Sequence, residues 1–222
     1  MTTVVRRHTA QGVRVMPTPS LVHRVPYFAQ WESPELVTAI VTGEISAAAD
    51  PAWASSGADS PEEYEFWGRR VCGMACLKML LVHYGLGAHR TMDLAREVTE
   101  YGGYVRRADG VDGLIYAPFV RYVRERFGLS AESAPKLPVS AIHDAVGEGT
   151  LVMASVHQSI RDPGAVPPRT GGHLVLVVGT SGDGFVIHNP SGHSGRSQAF
   201  AEVREDDFRR FYAERGILVR RD

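Results

Sequence analysis

The sequence has little cysteine, no long apolar run and no excess of charge of one sign. Its 222 residues include only Cys72 and Cys76, which argues against a disulfide scaffold and for thiols that stay reduced. No apolar stretch approaches the roughly 20 residues of a membrane-spanning helix, and residues 1–8 lack the apolar core of a signal peptide. The formal net charge of −1 provides no basic field for nucleic acid. We therefore expect a cytoplasmic protein without a nucleic-acid or membrane partner.

The pattern of apolar residues predicts an α+β domain over residues 21–222, preceded by an N-terminal arm of residues 1–20 that is rich in proline and threonine. Helical signals dominate the first part of the chain, at 33–41, 60–67, 72–84, 92–101, 113–127 and 139–146. After Gly149 the pattern changes, and strands are predicted at 151–157, 173–180, 184–188 and 197–203. A helix at 205–215 and a strand at 217–220 complete the prediction. Helices followed by antiparallel strands are typical of the α+β class.

Cys72 is the first candidate for chemistry, because it opens the apolar helix of residues 72–84. A thiol reacts as the thiolate, and the N-terminus of a helix lowers the pKa of a thiol placed there. Gly73 would leave space for a substrate, and Cys76 would lie one turn deeper as a buried, inert thiol. Considered alone, however, two cysteines on an apolar helix are more typical of a core.

His173 and Asn189 are the second and third candidates. His173 follows two glycines and begins an apolar strand, and Asn189 ends the next strand, directly before a proline. A hairpin around residues 181–183 would bring the start of one strand beside the end of the other. An imidazole held by an amide is the base that a thiol nucleophile requires.

Gln30 is the fourth candidate, since its side-chain amide could donate a hydrogen bond to an oxyanion together with the backbone N–H of Cys72. Spacing alone supports this role weakly. The other histidines show no spacing typical of a zinc site, so we expect neither a metal nor a cofactor.

These segments together resemble the C39-like family of papain-fold cysteine peptidases. The similarity rests on four segments: Val25–Gln30, Trp67 with Cys72–Leu77 and the following Met79 and His83–Gly85, Gly171–Gly179, and His188–Gly192. The resemblance implies a papain-like fold in which an N-terminal helical half packs on a C-terminal antiparallel sheet. It also implies that Cys72 is the nucleophile, His173 the base, Asn189 the residue that orients the base and Gln30 the oxyanion donor.

The resemblance implies a thiol-dependent enzyme that cleaves a peptide or amide bond through a thioester. Two alternatives remain: an acyltransferase that passes the acyl group from an amide or thioester substrate to an amine, and a non-catalytic peptide-binding module with the same fold. The segment of residues 31–67 is longer than expected for the family and is interpreted as an insertion. Its tryptophans, Trp31, Trp53 and Trp67, would either line the substrate site or pin the insertion to the core.

Overall fold

The computed structural model describes residues 20–107 and 110–222, so the predicted arm lies outside the described residues except for Ser20. The described residues contain seven α-helices: α1 (Val37–Thr42), α2 (Pro61–Gly68), α3 (Cys72–His83), α4 (Thr91–Glu100), α5 (Tyr116–Phe127), α6 (Val139–Gly147) and α7 (Glu205–Phe211). Short 3-10 helices cover Pro34–Leu36, Ala47–Ala49, Trp53–Ser56 and Gln158–Arg161. None of the helices in these two ranges has the length and apolar character needed to cross a membrane.

The strands form one large antiparallel sheet and one small hairpin. In chain order they are β1 (Leu21–Val22), β2 (Arg106–Arg107), β3 (Gly110–Val111), β4 (Ser130–Ala134), β5 (Leu151–Val156), β6 (His173–Ser181), β7 (Gly184–His188), β8 (Ala201–Arg204) and β9 (Tyr212–Arg220). The large sheet has seven strands in the order β4-β9-β5-β6-β7-β8, with β1 paired to β6, while β2 and β3 pair with each other. The predicted α+β class is confirmed.

Alternating side chains of the central strands build a separate core on each face of the sheet. Along β6, Leu174, Leu176 and Val178 pack with the helical half, in which α3 is the main contact. Val175 and Val177 point the other way, into a core that α6 and α7 complete. This two-residue period is what a strand buried on both faces requires. It places the first residue of α3 beside the first residues of β6.

Two predicted boundaries near the C-terminus are wrong. The helix predicted at 205–215 ends at Phe211, and β9 begins at Tyr212 rather than at residue 217. Strand pairing overrides the helical pattern here, because β9 pairs with both β4 and β5. Strand β4 was not predicted, since its small and polar residues carry no apolar alternation.

The segment of residues 31–67, which the sequence analysis interprets as an insertion, is organised around a buried carboxylate. Asp50 is fully buried and accepts hydrogen bonds from Ser33 Oγ at 2.6 Å, Tyr64 Oη at 2.6 Å and the backbone N–H of Ala52 at 2.9 Å. Ser33 precedes the first helical turn of the segment, but its side chain binds Asp50 and does not cap that turn. These hydrogen bonds outweigh the effect of burial and hold the pKa of Asp50 below its usual value. The insertion is therefore a packed unit with its own polar centre.

Candidate active site

Cys72 is the first residue of α3 and is partly buried. Burial raises the pKa of its thiol, and hydrogen bonding from the backbone of Leu174, Gly73 and Cys72 itself opposes that effect without cancelling it. The pKa of this thiol is therefore raised and not lowered as the sequence predicts, because burial disfavours the thiolate more than these hydrogen bonds favour it. At neutral pH the resting thiol is protonated and needs a base.

Cys76 lies one turn further along α3 and is completely buried. Its Sγ is 3.7 Å from the carbonyl oxygen of Leu174, in the strand that begins at His173. Burial raises the pKa of Cys76 well above its usual value. This thiol is a packing residue between α3 and β6.

The space beside Gly73 belongs to another part of the chain. A Cβ at Gly73 would lie 2.7 Å from Cδ2 of Leu114 and 3.4 Å from Cδ1 of Leu174. Glycine is thus needed so that leucine side chains can pack closely on the first turn of α3. The space predicted for substrate beside this glycine is occupied by Leu114.

His173 begins β6 after a turn that only glycines adopt without strain. Gly171 and Gly172 have φ values of 76° and 95°, in the left-handed region that disfavours side chains. A Cβ at Gly171 would approach Ala213 Cβ to 3.0 Å, so the turn is also sterically closed. The two glycines aim the chain so that His173, which is only 6% exposed, reaches the cleft.

Asn189 holds the imidazole of His173 from the far side. Nε2 of His173 lies 2.9 Å from Oδ1 of Asn189, and the backbone N–H of Ser191 donates to the same oxygen at 3.1 Å. Because an amide oxygen only accepts, Nε2 carries the hydrogen and Nδ1 is the basic nitrogen. The hairpin of β6 and β7 produces this contact, with Ser181 paired to Gly184 across a two-residue turn.

The surroundings of His173 favour the neutral imidazole. Burial lowers its pKa to about 4, the hydrogen bond to Asn189 opposes this, and the nearby positive charge of Arg161 adds to it. Arg161 also donates to Ser191 Oγ at 3.1 Å, and that oxygen lies 3.2 Å from Nε2 of His173. The sequence does not predict that Ser191 and Arg161 are near His173, although Ser191 lies only two residues beyond Asn189. The imidazole of His173 is thus neutral at physiological pH.

Gln30 is buried beside the segment that carries Asn189. Its backbone N–H donates to the carbonyl oxygen of Pro190 at 2.8 Å, and its Nε2 donates to the carbonyl oxygen of Gly68 at 2.5 Å. One of the two amide hydrogens is therefore committed to Gly68. The carbonyl oxygen of the Gln30 side chain is buried without a hydrogen-bond partner among the described residues.

A cleft of about 480 Å³ contains Cys72 and His173 together. The residues lining it are Arg69, Arg70, Cys72, Val111, Asp112, Gly113, Leu114, Tyr116, Ser155, Gly172, His173, Leu174 and Arg215. Gln30 and Asn189 are not part of this lining, and neither are two other histidines, His157 and His188. His188 instead binds the carbonyl oxygen of Val25 through Nε2 at 2.9 Å.

The tryptophans of the insertion do not line this cleft. Trp31 and Trp67 are 2% and 1% exposed and belong to the core around α3, and Trp53 packs against that core. The tryptophans therefore pin the segment of residues 31–67 to the core and do not line the substrate site. This confirms the second of the two interpretations given in the sequence analysis. Among residues 20–107 and 110–222, no group of three side chains is arranged as metal ligands.

The fold and the site together define the class of this protein. A helix that begins with a cysteine packs on an antiparallel sheet, and the facing strand ends carry a histidine hydrogen-bonded to an asparagine. This is the α+β architecture of the papain-like cysteine peptidases. The chain belongs to the Peptidase_C39 like family, whose family model matches residues 22–216. A cysteine peptidase-like function follows from this membership.

Solved structures are similar to the chain at low sequence identity. A Bacillus anthracis protein assigned as a C39-like peptidase has a TM-score of 0.57 at 14% identity, covering 92% of this chain and 99% of the other. The peptidase domain of Streptococcus ComA, a bi-functional ABC transporter involved in a quorum sensing pathway, has a TM-score of 0.48 at 15% identity, covering 69% of this chain and 93% of the other. No curated protein matches the chain. The first of these two similarities supports the fold.

Proposed function

We propose that the protein is a cysteine peptidase or amidase that cleaves a peptide or amide bond through a thioester on Cys72. The observation that carries the proposal is the hydrogen bond of 2.9 Å between His173 Nε2 and Asn189 Oδ1, in a site whose cleft also contains Cys72. This bond leaves Nδ1 as the basic nitrogen, and Nδ1 has no hydrogen-bond partner among the described residues. A neutral imidazole beside a neutral thiol is the starting state for general base catalysis.

In the acylation step, Cys72 Sγ attacks the substrate carbonyl carbon as its proton passes to Nδ1 of His173. The carbonyl oxygen becomes an oxyanion, and the imidazole becomes a cation that Asn189 stabilises through Nε2. When the C–N bond breaks, the imidazolium returns its proton to the departing amine. The products of this step are a free amine and a thioester on Cys72, with His173 neutral again.

The oxyanion needs donors at the N-terminus of α3. The backbone N–H of Cys72 lies in the first turn, where helical hydrogen bonds are absent, and is therefore available to the oxyanion. The second hydrogen of the Gln30 amide is the other proposed donor, since only one is engaged by Gly68. Gln30 does not line the cleft, so its side chain would have to move past the lining residues to reach the oxyanion. We expect substrate binding to cause this movement.

In the deacylation step, water attacks the thioester while His173 Nδ1 accepts one of its protons. The carboxylic acid leaves, and the proton on His173 returns to the sulfur, which restores the thiol. Asn189 and Gln30 act in the same roles as before, so the same four residues serve both halves of the reaction.

The proposal is tested with a library of peptides and peptide amides, followed by mass spectrometry of the products. We expect cleavage products with the wild-type protein and none with the Cys72→Ser variant, while Cys76→Ala retains cleavage. A covalent adduct of Cys72 that gains the mass of the acyl group would identify the thioester. Cleavage that persists in Cys72→Ser would contradict the proposal, and products carrying an added amine in place of water would identify transfer.

A further inference from the structure

The charged side chains that line the cleft are mostly cationic, although the whole chain has a formal net charge of −1. Three arginines line it, Arg69, Arg70 and Arg215, against the single carboxylate of Asp112. Asp112 is already paired with Arg107 at 2.8 Å. Within residues 20–107 and 110–222, none of the three arginines forms an ion pair. Because the whole chain has a formal charge of −1, this local excess of cations is a property of the cleft.

Two of the three arginines are hydrogen-bonded to backbone carbonyl oxygens of the helical half. Arg69 donates from Nη2 to the carbonyl oxygen of Ile40 at 2.9 Å. Arg70 donates to the carbonyl oxygen of Phe66, and its guanidinium lies 4.6 Å from the centre of the Phe66 ring. Arg215 differs, because it has no carboxylate or backbone carbonyl partner in the described part of the chain. It projects from β9 on the sheet side of the cleft.

Arg215 belongs to a cluster of hydrogen-bond donors with Tyr116 and Ser155. A Cβ built on Gly171 would lie 3.2 Å from Ser155 Oγ and 3.3 Å from Nη2 of Arg215, so these two groups share one corner of the cleft. Burial raises the pKa of Tyr116, while hydrogen bonding to Ser155 and the charge of Arg215 oppose it. The phenol therefore keeps its hydrogen, and its oxygen accepts hydrogen bonds from Ser155 and Arg215. The donors left for a ligand are the phenol O–H of Tyr116 and the remaining guanidinium N–H groups of Arg215.

This cluster lies one strand away from the proposed base. Ser155 is 2% exposed and pairs with Leu174 across β5 and β6, and Leu174 follows His173 directly. Gly171 and Gly172 form the turn that leads into His173, and Arg215 lies against that turn. An anion bound by Arg215 would thus lie in the same cleft as Cys72, close to the bond that is cleaved.

We propose that Tyr116, Ser155 and Arg215 form a subsite for a carboxylate of the substrate, next to the scissile bond. The inference rests on the proposed function, because it assigns the substrate class of that same site. The planar guanidinium fork matches a carboxylate with two parallel N–H donors, and the O–H of Tyr116, whose oxygen Ser155 holds by a hydrogen bond, completes the donor set. Arg215 is exposed, and no carboxylate among the described residues pairs with it. One such cation matches a singly charged carboxylate, whereas a phosphate dianion would keep an excess negative charge beside it.

Protection of Cys72 from alkylation measures this binding without a known substrate. The wild-type protein is alkylated with iodoacetamide, which is neutral, in the presence of N-acetyl-alanine or its uncharged amide at constant ionic strength. Inorganic phosphate and sodium chloride are the comparison salts. We expect N-acetyl-alanine to slow alkylation of Cys72 and the amide, phosphate and chloride to have no comparable effect.

Variants of the cluster locate the binding. We expect Arg215→Met to raise the N-acetyl-alanine concentration required for half protection by about tenfold or more, because a charge-assisted hydrogen bond is lost. Tyr116→Phe should raise it less, and Arg215→Lys should fall between wild type and Arg215→Met. Arg209→Met, at an exposed position of α7, is the control and should match wild type. Melting temperatures confirm folding, and Tyr116→Phe and Arg215→Lys carry the test if Arg215→Met unfolds.

The outcomes separate the subsite from the proposed chemistry. Equal protection by the amide, or unchanged protection in Arg215→Met, would overturn the subsite. Stronger protection by phosphate than by N-acetyl-alanine would overturn the carboxylate assignment. Equal protection by sodium chloride would show that N-acetyl-alanine acts only by general charge screening, and it would also overturn the subsite. Calorimetric titration with N-acetyl-alanine does not use the thiol. Binding by calorimetry without any alkylation of Cys72 would therefore count against the proposed nucleophile and leave the subsite standing.

Discussion

His173 Nε2 and Asn189 Oδ1 are 2.9 Å apart although 16 residues separate them in the chain. The asparagine is completely buried, and its oxygen also accepts from the backbone N–H of Ser191. The acceptor is thus held by the backbone N–H of Ser191, and the imidazole is held by the acceptor. This arrangement determines which ring nitrogen is available as the base.

Replacing Asn189 should slow the alkylation of Cys72, because Asn189 orients His173. We expect Asn189→Ala to reduce the rate of Cys72 alkylation by iodoacetamide at pH 7 by about tenfold to a hundredfold, because the imidazole loses its orientation. Asn189→Asp retains the acceptor and should recover most of the rate. The measurement is intact-mass spectrometry over time. Equal rates in Asn189→Ala and wild type would show that the pair has no role in activating the thiol.

The two cysteines should differ in reactivity. We expect iodoacetamide to modify Cys72 in the folded protein and to leave Cys76 untouched until denaturant is added, because Cys76 is fully buried with a strongly raised pKa. Peptide mapping after brief labelling measures both sites. The Cys72→Ser variant is the control and should remain unlabelled when folded. Preferential labelling of Cys76 would remove Cys72 as the nucleophile.

The lowered pKa of His173 should make the protein less stable in acid. The unfolded imidazole titrates near 6.5 and the folded one near 4, so between these values the unfolded state binds the extra proton. The free energy of unfolding should therefore fall as pH drops from about 6.5 to about 4, by up to about 3 kcal/mol, with no further loss from this residue below that range.

Urea unfolding of wild type and His173→Gln at pH 7 and pH 4 measures this contribution. The variant lacks the titrating group, so its loss of stability between the two pH values should be smaller. His157 and His188, whose pKa values are also lowered by burial, remain in both proteins and cancel in the comparison. An identical loss in both proteins would contradict the pKa assigned to His173.

Gly171→Ala should cost more stability than the strain of its backbone conformation alone. Its φ of 76° disfavours alanine by about 1 to 2 kcal/mol, and the new Cβ would lie 3.0 Å from that of Ala213. Gly128→Ala is the matched control, with φ of 65° and no neighbouring atom within 4 Å. Thermal unfolding of both variants separates strain from crowding. Equal destabilisation would show that the turn before His173 relaxes freely.

Asp50 should support the insertion without taking part in the chemistry. We expect Asp50→Ala to destabilise the protein by about 3 kcal/mol, because the hydrogen-bond donors of Ser33, Tyr64 and Ala52 would lose their buried acceptor. Alkylation of Cys72 in the folded variant should match wild type, since no residue of 31–67 lines the cleft. A slower alkylation would show that the insertion influences the site after all.

Helices and strands are predicted best from the sequence where the spacing of the apolar residues and the residues that mark the ends of the element indicate the same structure. Helix α3 begins and β7 begins and ends at the predicted residues, because a buried helix and a buried hairpin have strong local patterns. Strand β4 pairs with β9 across a large separation in sequence, and nothing local in its residues signals a strand. The start of β9 fails for the same reason, since pairing with β5 overrides a helical pattern.

In the candidate site too, contacts between residues close in sequence are predictable, and contacts between residues far apart in sequence are not. His173 and Asn189 are connected by one hairpin, so their contact follows from adjacent strands. Tyr116, Ser155 and Arg215 come from α5, β5 and β9, and only the folded sheet brings them together. Ser155 carries one weak signal, as the one hydroxyl in an apolar strand. The raised pKa of Cys72 depends on burial, which the position of a residue along the chain does not specify.

The contact between Cys76 Sγ and the carbonyl oxygen of Leu174 has an evolutionary consequence. It joins α3 to β6 one turn from Cys72 and one residue from His173, so the bulk at position 76 helps to set the separation of the two elements. A larger residue there would push the helix away from the strand, and because the contacted atom is a backbone carbonyl, a new side chain at position 174 would not relieve the clash. Selection on the reaction should therefore reach position 76, where the side chain should stay small as relatives diverge.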